Sequence, residues 1–396
     1  MNYVFISPNF PVTCEAFCDR LRQNGVTVLG VGDAPYDGLS GRLKGALTEY
    51  YQVPSLSDYD QVYRAVAFFA FKYGRIDWLE SLNEYWLGQD ARLRADFNIA
   101  VGTRADGVAD MVDKSRMKRI FLEAGVPTAR QHVVTTREEG RAFAAEAGYP
   151  VVVKPSVGVG AAGARKLKAE AELDAFYDAL PQEPYVMEQF LSGDIATYDA
   201  ILDSRCEPLF ESMNNYASVM DAVLNDEDVS FYTSPAPAPK LCEYGRRLAR
   251  AFGADRRFVH FEFICLDRAC KGVGKRGDYA VMEVNMRPAG GHDPDMMNFA
   301  QSADVFQIYA EMVTQDKRLF PVSDERYFCA YAARKDGRAY RHTDAEITER
   351  FGAAIVLRRE MPEIDWPAMG RWAYMARFRE EADMREFTAF VLQKND

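Results

Sequence analysis

Three oxygen-bearing side chains stand where a core strand should not carry them. Glu262 lies in the apolar run 258–266, while Glu283 and Asn285 lie in the run 279–288, which closes on Arg287 and Pro288. The stretch 267–278 between them is rich in glycine and charge, so the two runs read as the arms of an antiparallel hairpin. Side chains alternate along a strand, which sends Glu283, Asn285 and Arg287 to one face and Met282, Val284 and Met286 to the other. Ionised carboxylates on an apolar face are costly unless a cation or hydrogen-bond donors compensate them. Two carboxylates and an amide over one patch suit Mg²⁺, a hard cation commonly held by one or two carboxylates with phosphate and water. Arg287 beside them suits a planar carboxylate or a phosphoryl group. The alternative is a solvent-facing edge hairpin whose charges simply alternate.

A second constellation begins at the strand 149–155, which carries Lys154 into the loop 156–165. Gly158, Gly160 and Gly163 satisfy GxGxxG, and Glu188 follows about 25 residues later, near the spacing of a ribose-binding acid. Lys154 and Pro155 separate strand from glycines, however, and the loop lies mid-chain. A lysine ending a strand before a glycine loop suits a triphosphate: the ammonium neutralises one phosphate while backbone N–H groups, beginning at Ser156, cap the others. A dinucleotide turn and a flexible hairpin tip remain the competing readings. Beyond the loop, 186–191 reads as a strand running into a linker whose backbone can read an adenine edge. Glu188 and Asp194 are candidates for its amino group and the ribose hydroxyls.

These residues need elements to position them. Residues 3–6 read as a buried strand, 7–10 as a turn, 13–24 as a helix and 26–31 as a strand; 57–73, 76–82 and 87–98 continue as helix, strand and helix. Such alternation predicts a parallel sheet covered on both faces, with the loop 7–11 at the carboxyl edge where ligands bind. A helix over 110–124 carries Lys114 and stops at Gly125 and Pro127, where a new unit begins with 130–134, a helix at 137–147 and the Lys154 strand. The insert 213–240 starts polar and ends as a stiff proline-rich connector. From 322 the composition shifts to strands at 326–333 and 353–358, a helix at 343–351 and a strand-rich return at 366–378, read as a small α+β appendage. The basic pair Arg358 and Arg359 reads as a solvated strand end.

At 396 residues the chain is long enough for two or three cores, and 48% hydrophobic with 27% charged residues is an ordinary globular composition. A formal charge of −11 without a Lys/Arg block argues against a nucleic-acid partner. The seven cysteines are scattered, which fits reduced thiols in a cytoplasmic protein; Cys14 and Cys18 share a helix face but lack further ligands at zinc spacing. No basic leader region opens the chain, and no apolar run reaches the ~18 residues of a membrane span, so export and insertion are not expected.

Taken in order, these pieces resemble the ATP-grasp superfamily, in particular its carboxylate-amine ligases of the amino-acid ligase type. The likeness rests on Asp113 and Lys114, the stop at Gly125, Lys154 with its glycine loop, 188–193, and Glu262 followed by 283–291. It implies an N-terminal αβ domain (1–110), a small subdomain with a glycine-rich lid (111–192), a large subdomain with the metal site (193–320) and the appendage (321–396). It further implies a nucleotide held between two sheets, with Lys114 and Lys154 on its phosphates and the loop from Ser156 to Gly163 closing over them. Glu188 and the backbone through Gln189, Phe190 and Leu191 would hold adenine. Glu262, Glu283 and Asn285 would hold two Mg²⁺, or Mn²⁺ in their place, and Arg287 would steady an acyl phosphate. The family places an acidic ribose ligand two residues after the glycine, where this chain has Ile195; Asp194 stands one residue earlier.

The implied activity is ADP-forming ligation: a small carboxylate, an amino acid as one partner, is phosphorylated by ATP and captured by an amine. Gly290, Gly291 and His292 border the carboxylate pocket on this reading. His292 is either a base for the amine or a loop histidine fixing its neighbours, and His260 either supports the metal site or is a satisfied core histidine. The other function classes are an ATP-grasp carboxylase component or carboxylate-thiol ligase, and an ATP-binding regulator without turnover. A homodimer is compatible with all of them.

Overall fold

The computed structural model describes residues 1–158, 163–216, 227–363 and 366–395. Four parallel strands open the chain: β1 (Asn2–Ile6), β2 (Thr27–Gly32), β3 (Glu49–Gln52) and β4 (Trp78–Glu80), in spatial order β3-β2-β1-β4. A strand with neighbours on both sides and helices on both faces must be apolar throughout, and Tyr3 to Ile6 are fully buried. Tyr3 and Phe5 pack on Phe17 and Leu21 of the helix Cys14–Gln23, whereas Val4 and Ile6 pack on Val62, Val66 and Phe69 of the helix Tyr59–Tyr73. Asp58 caps the latter by accepting from the N–H groups of Asp60 and Gln61.

The helix expected over 110–124 is two helices, Ala105–Val112 and Lys114–Glu123. They break at Asp113, whose carboxylate accepts from Ser115 N and so caps the second. A second, antiparallel sheet follows: β5 (Gln131–Val133), β6 (Val151–Pro155), β7 (Arg165–Leu167) and β8 (Tyr185–Gln189), ordered β5-β8-β6-β7. Helices Arg137–Ala147 and Glu170–Asp178 close one of its faces around Val151, Val153, Phe176 and Met187. The run 186–191 passes from strand into linker as expected, β8 ending at Gln189 and Phe190 and Leu191 following it.

The third sheet has nine strands among the described residues. β9 (Gly193–Leu202), β10 (Pro208–Ser212), β11 (Asn214–Tyr216), β12 (Val229–Thr233), β13 (Arg257–Leu266) and β14 (Tyr279–Asn285) are joined by β15 (Phe328–Arg334), β16 (Ile355–Glu360) and β17 (Trp372–Phe378). The path runs β14-β13-β9-β11-β12-β15-β17-β16, with β10 on β9. Strands from 321–396 therefore extend this sheet through five residue pairs from Val229↔Ala333 to Thr233↔Cys329. The segment 366–378 opens not as strand but as the short helix Trp366–Met369.

The hairpin β13–β14 forms as expected, with one irregularity that corrects the predicted alternation. A bulge separates the pairs Glu262↔Glu283 and Phe263↔Val281, so Met282 has no partner and the phase shifts across it. Val281, not Met282, shares the packed face with Val284 and Met286, while Met282 joins Leu191, Ile264 and Ala280 on the opposite side.

The first and third sheets are tied by charge as well as by packing. Glu80, at the end of β4, lies 2.8 Å from Arg94 Nη2 and 3.7 Å from Arg257 Nη2, all three buried. Arg257 opens β13 and donates through Nη1 to the carbonyl of Met286. All seven cysteines are free, Cys14 and Cys18 among the buried ones, and no described helix is long and apolar enough to cross a membrane.

The helix Pro239–Ala251 approaches β9 closely enough that a Cβ on Gly245 would lie 2.3 Å from the Tyr198 ring. Gly245→Ala should therefore destabilise the protein by about 1–3 kcal/mol, read as a lowered urea midpoint with an unchanged slope.

Candidate active site between the two antiparallel sheets

Lys114 is the point where three elements meet. It opens its helix, its ammonium lies 3.2 Å from Glu283 Oε1 on β14, and it donates to the carbonyl of Gly158 at 2.9 Å. Asp113 and Ser156 secure the same junction: Asp113 accepts from Ser156 Oγ at 2.7 Å, and Lys114 N donates to the Ser156 carbonyl at 2.8 Å. The start of the glycine loop is thus pinned to a helix N-terminus. Gly163 at its other end takes φ +75°, and Gly160 lies outside the described residues.

Glu188, on β8, is a buried anion between two lysines. Its carboxylate lies 2.7 Å from Lys154 Nζ and 2.9 Å from Lys118 Nζ, and also accepts from Gln131 Nε2. Burial alone would raise this carboxyl, but Lys154 and Lys118 outweigh it and hold it at about 2. Burial also works against both ammonium groups: Glu188 more than restores Lys154, whose pKa ends raised, while Lys118 stays lowered. The side chain is therefore engaged in organising the lysines. Lys118 further donates to Thr128 Oγ1 and the Ala129 carbonyl, and Thr128 Oγ1 in turn donates to the carbonyl of Val281 on β14. One hydrogen-bonded chain thereby crosses from the small sheet to the large one.

Glu262 and Glu283 are directly opposed in the β13–β14 register, with Asn285 Nδ2 3.5 Å from Glu262 Oε1 and Asn285 Oδ1 3.4 Å from Arg287 Nη2. Burial and the nearby Glu262 raise the Glu283 carboxyl, against Lys114 and Lys154. His260 is both well satisfied and adjacent to this patch, its Nδ1 2.7 Å from Asp199 Oδ1 and its Nε2 3.5 Å from Glu262 Oε1. Burial disfavours its imidazolium, but the two carboxylates lift its pKa to about 10. Among the described residues no group of three or more His, Cys, Asp and Glu side chains forms a ready-made metal cage. Two carboxylates with an amide are the smaller oxygen set that Mg²⁺ shares with phosphate and water.

Leu191 belongs to an apolar set in which it and Ala129, from the segments flanking the small sheet, meet Ile264, Leu266, Ala280 and Met282 of the large one. Phe190 lies under the ammonium of Lys166, 3.7 Å from its ring centroid. Gln189 bridges Arg130 and the Cys270 thiol. Asp194 is exposed at the start of β9.

Beyond Arg287, Gly290 and Gly291 lead into the helix Asp293–Gln301. His292 is buried, its Nδ1 2.8 Å from Asp295 and its Nε2 3.5 Å from Arg359 Nη1. On β16, Arg358 is exposed and pairs with Asp344, as a solvated strand end should, whereas Arg359 is half-buried and turns toward His292. Glu84, in the turn after β4, places Oε2 3.8 Å from Arg287 Nε. Nothing in the sequence reading singled out Lys118, Glu80, Arg257 or Glu84. Two of these carry a local signal: Lys118 stands four residues after Lys114 and so on the same helix face, and Glu80 is a carboxylate within the expected strand 76–82.

Two antiparallel sheets face one another across lysines and carboxylates behind a parallel N-terminal sheet, an arrangement this chain shares with solved ligase and synthetase structures. Residues 113–190 match the family model described as the carbamoyl-phosphate synthase L chain, ATP binding domain. The carbamoyl phosphate synthase large chain of Agathobacter rectalis is 27% identical over 175 residues, 42% of this chain but 16% of that much longer one. The fold matches the L-amino acid ligase of Bacillus licheniformis with a TM-score of 0.70 at 14% identity, over 98% of this chain and 95% of that one. It also matches the N5-carboxyaminoimidazole synthetase of Staphylococcus aureus complexed with ADP, with a TM-score of 0.68 at 15% identity over 98% and 96%.

Glu188→Gln would leave two buried ammonium groups without their anion and should cost about 3–5 kcal/mol. The folded-state carboxyl lies at about 2, below its ordinary 4.5, so its stabilisation is complete above about pH 4.5 and is lost as pH falls toward 2. Denaturant titrations of wild type and variant should therefore differ at neutral pH and converge in acid.

Proposed function

We propose that this protein is an ATP-dependent ligase that activates a small carboxylate as an acyl phosphate and joins it to an amine, releasing ADP and phosphate. The contact that carries the reading is Lys114 against Glu283: a cation suited to phosphate and a carboxylate suited to a metal neutralise one another in one cleft. The donor set fits Mg²⁺, because Glu262 and Glu283 oppose each other and the Glu283 carboxyl is raised by that proximity and by burial. Glu262, Glu283 and Asn285 would hold the metal, two ions by the family pattern, and when bound it supplies neutralisation of the transferring phosphoryl group.

The chain's own residues do the rest. Lys154, held by Glu188, and Lys114 take the charge of the nucleotide phosphates, the backbone of Gln189 to Leu191 reads the adenine edge, and the apolar set around Leu191 seats the ring. Arg287 faces the carboxylate and steadies it as charge builds. The amine then displaces phosphate from the activated carbonyl, with no covalent enzyme intermediate. Support from relatives is of the same kind, since the matched folds include an L-amino acid ligase and a synthetase complexed with ADP.

ADP and phosphate release should require Mg-ATP together with a carboxylate and an amine, assayed over a panel of amino acids. The product mass should equal the two substrates less water, and Glu283→Ala should slow release by at least ~100-fold. A product lacking the amine, or nucleotide binding that no substrate pair turns into ADP, would refute the ligase reading.

A further inference from the structure

The turn after β4 presents a carboxylate oxygen, Glu84 Oε2, for which the described residues provide no hydrogen-bond donor. The Glu84 side chain is 11% exposed, and its Oε2 accepts no hydrogen bond. The facing guanidinium of Arg287 keeps its Nε at 3.8 Å, beyond hydrogen-bond distance, and turns its terminal nitrogens to the Pro288 carbonyl and Asn285 Oδ1. Burial lifts the Glu84 carboxyl to about 7 even though Arg287, Arg257 and Lys114 pull it down and only Glu283 reinforces the rise. A buried acceptor without a donor costs stability, and here it stands beside the arginine suited to a substrate carboxylate.

One ligand chemistry satisfies both groups together. An α-amino acid carries an ammonium next to a carboxylate, the complement of a carboxylate next to a guanidinium. The neighbours of Glu84 also give such a ligand somewhere to put its side chain. Asn83 and Tyr85 line an open cavity of about 390 Å³ at the carboxyl edge of the first sheet, with Phe10, Leu56 and Trp86 as its apolar walls. Asn9, also on its wall, has a buried Oδ1 that lacks a donor.

We propose that Glu84 is the ammonium receptor for an α-amino acid whose carboxylate faces Arg287, and that the adjoining cavity takes its side chain. This rests on the ligase reading and assigns a residue to the ammonium of the amino acid that the resemblance implies. An N-acylated amino acid or a simple carboxylate offers Glu84 no cation, so the site selects against both.

The test titrates the common L-amino acids, their N-acetyl derivatives, propionate and 3-phenylpropionate onto the full chain preloaded with MgADP. Wild type, Glu84→Gln and Glu84→Asp are compared, with thermal unfolding of each confirming that it is folded. At least one free amino acid should bind, with its N-acetyl and des-amino analogues weaker by about tenfold or more. Glu84→Gln should weaken the free amino acid by a similar factor with MgADP affinity unchanged, and Glu84→Asp should recover part of the loss. Equal binding of acetylated and free forms, an unaffected Glu84→Gln, or no binding of any free amino acid would overturn the proposal. Failure of wild type to bind MgADP would instead overturn the ligase reading beneath it.

Discussion

Glu80 is a buried anion that belongs to one sheet and is neutralised partly by another. Arg94 meets it from within the N-terminal domain, and Arg257 approaches from the first residue of β13. A carboxylate taken out of water is tolerable only while such cations remain near it. The first and third sheets are therefore held at a fixed spacing by the cost of separating these charges. Arg257 also holds the carbonyl of Met286, one residue before Arg287, so the same constraint sets where the Arg287 guanidinium stands. The Glu84 turn follows Glu80 by four residues, and it inherits its position from the same anchor.

A parallel logic operates inside the cleft. Each lysine expected to face phosphate is close to a carboxylate, Lys114 to Glu283 and Lys154 to Glu188, and Glu188 also meets Lys118. In a low-dielectric site such pairs strengthen one another, and removing one member leaves the other exposed to the full desolvation cost. The cleft is consequently assembled with its ammonium groups already aimed. Thr128 adds rigidity by linking Lys118 to the backbone of β14.

How much of this was legible in the sequence depends on the range of the signal. Glu262, Glu283 and Asn285 stood out because an ionisable or amide side chain in an apolar run is anomalous within a few residues, and the hairpin that opposes them was visible in the same stretch. The alternating αβ start was equally local, because a buried parallel strand must be apolar throughout. What escaped were relations between distant segments. Nothing near Glu188 announces that two lysines will surround it, and nothing near Glu84 announces Arg287. Strict alternation puts Met282 on the wrong face because it holds only until a bulge resets it. Local pattern runs the helix over 110–124 straight through Asp113, because its cap bond is evident only once the chain turns there to meet Ser156.

The continuity of the large sheet bears on how the C-terminal segment can be handled. Residues from β15 onward are not docked through side chains alone; they complete the backbone ladder of β12. Cutting the chain before β15 would leave that strand with a row of unsatisfied N–H and C=O groups and strip the cover from Val229 and Phe231. A shortened protein would thus carry a raw edge ready to recruit a strand from any neighbour, so its first failing would be self-association rather than lost activity.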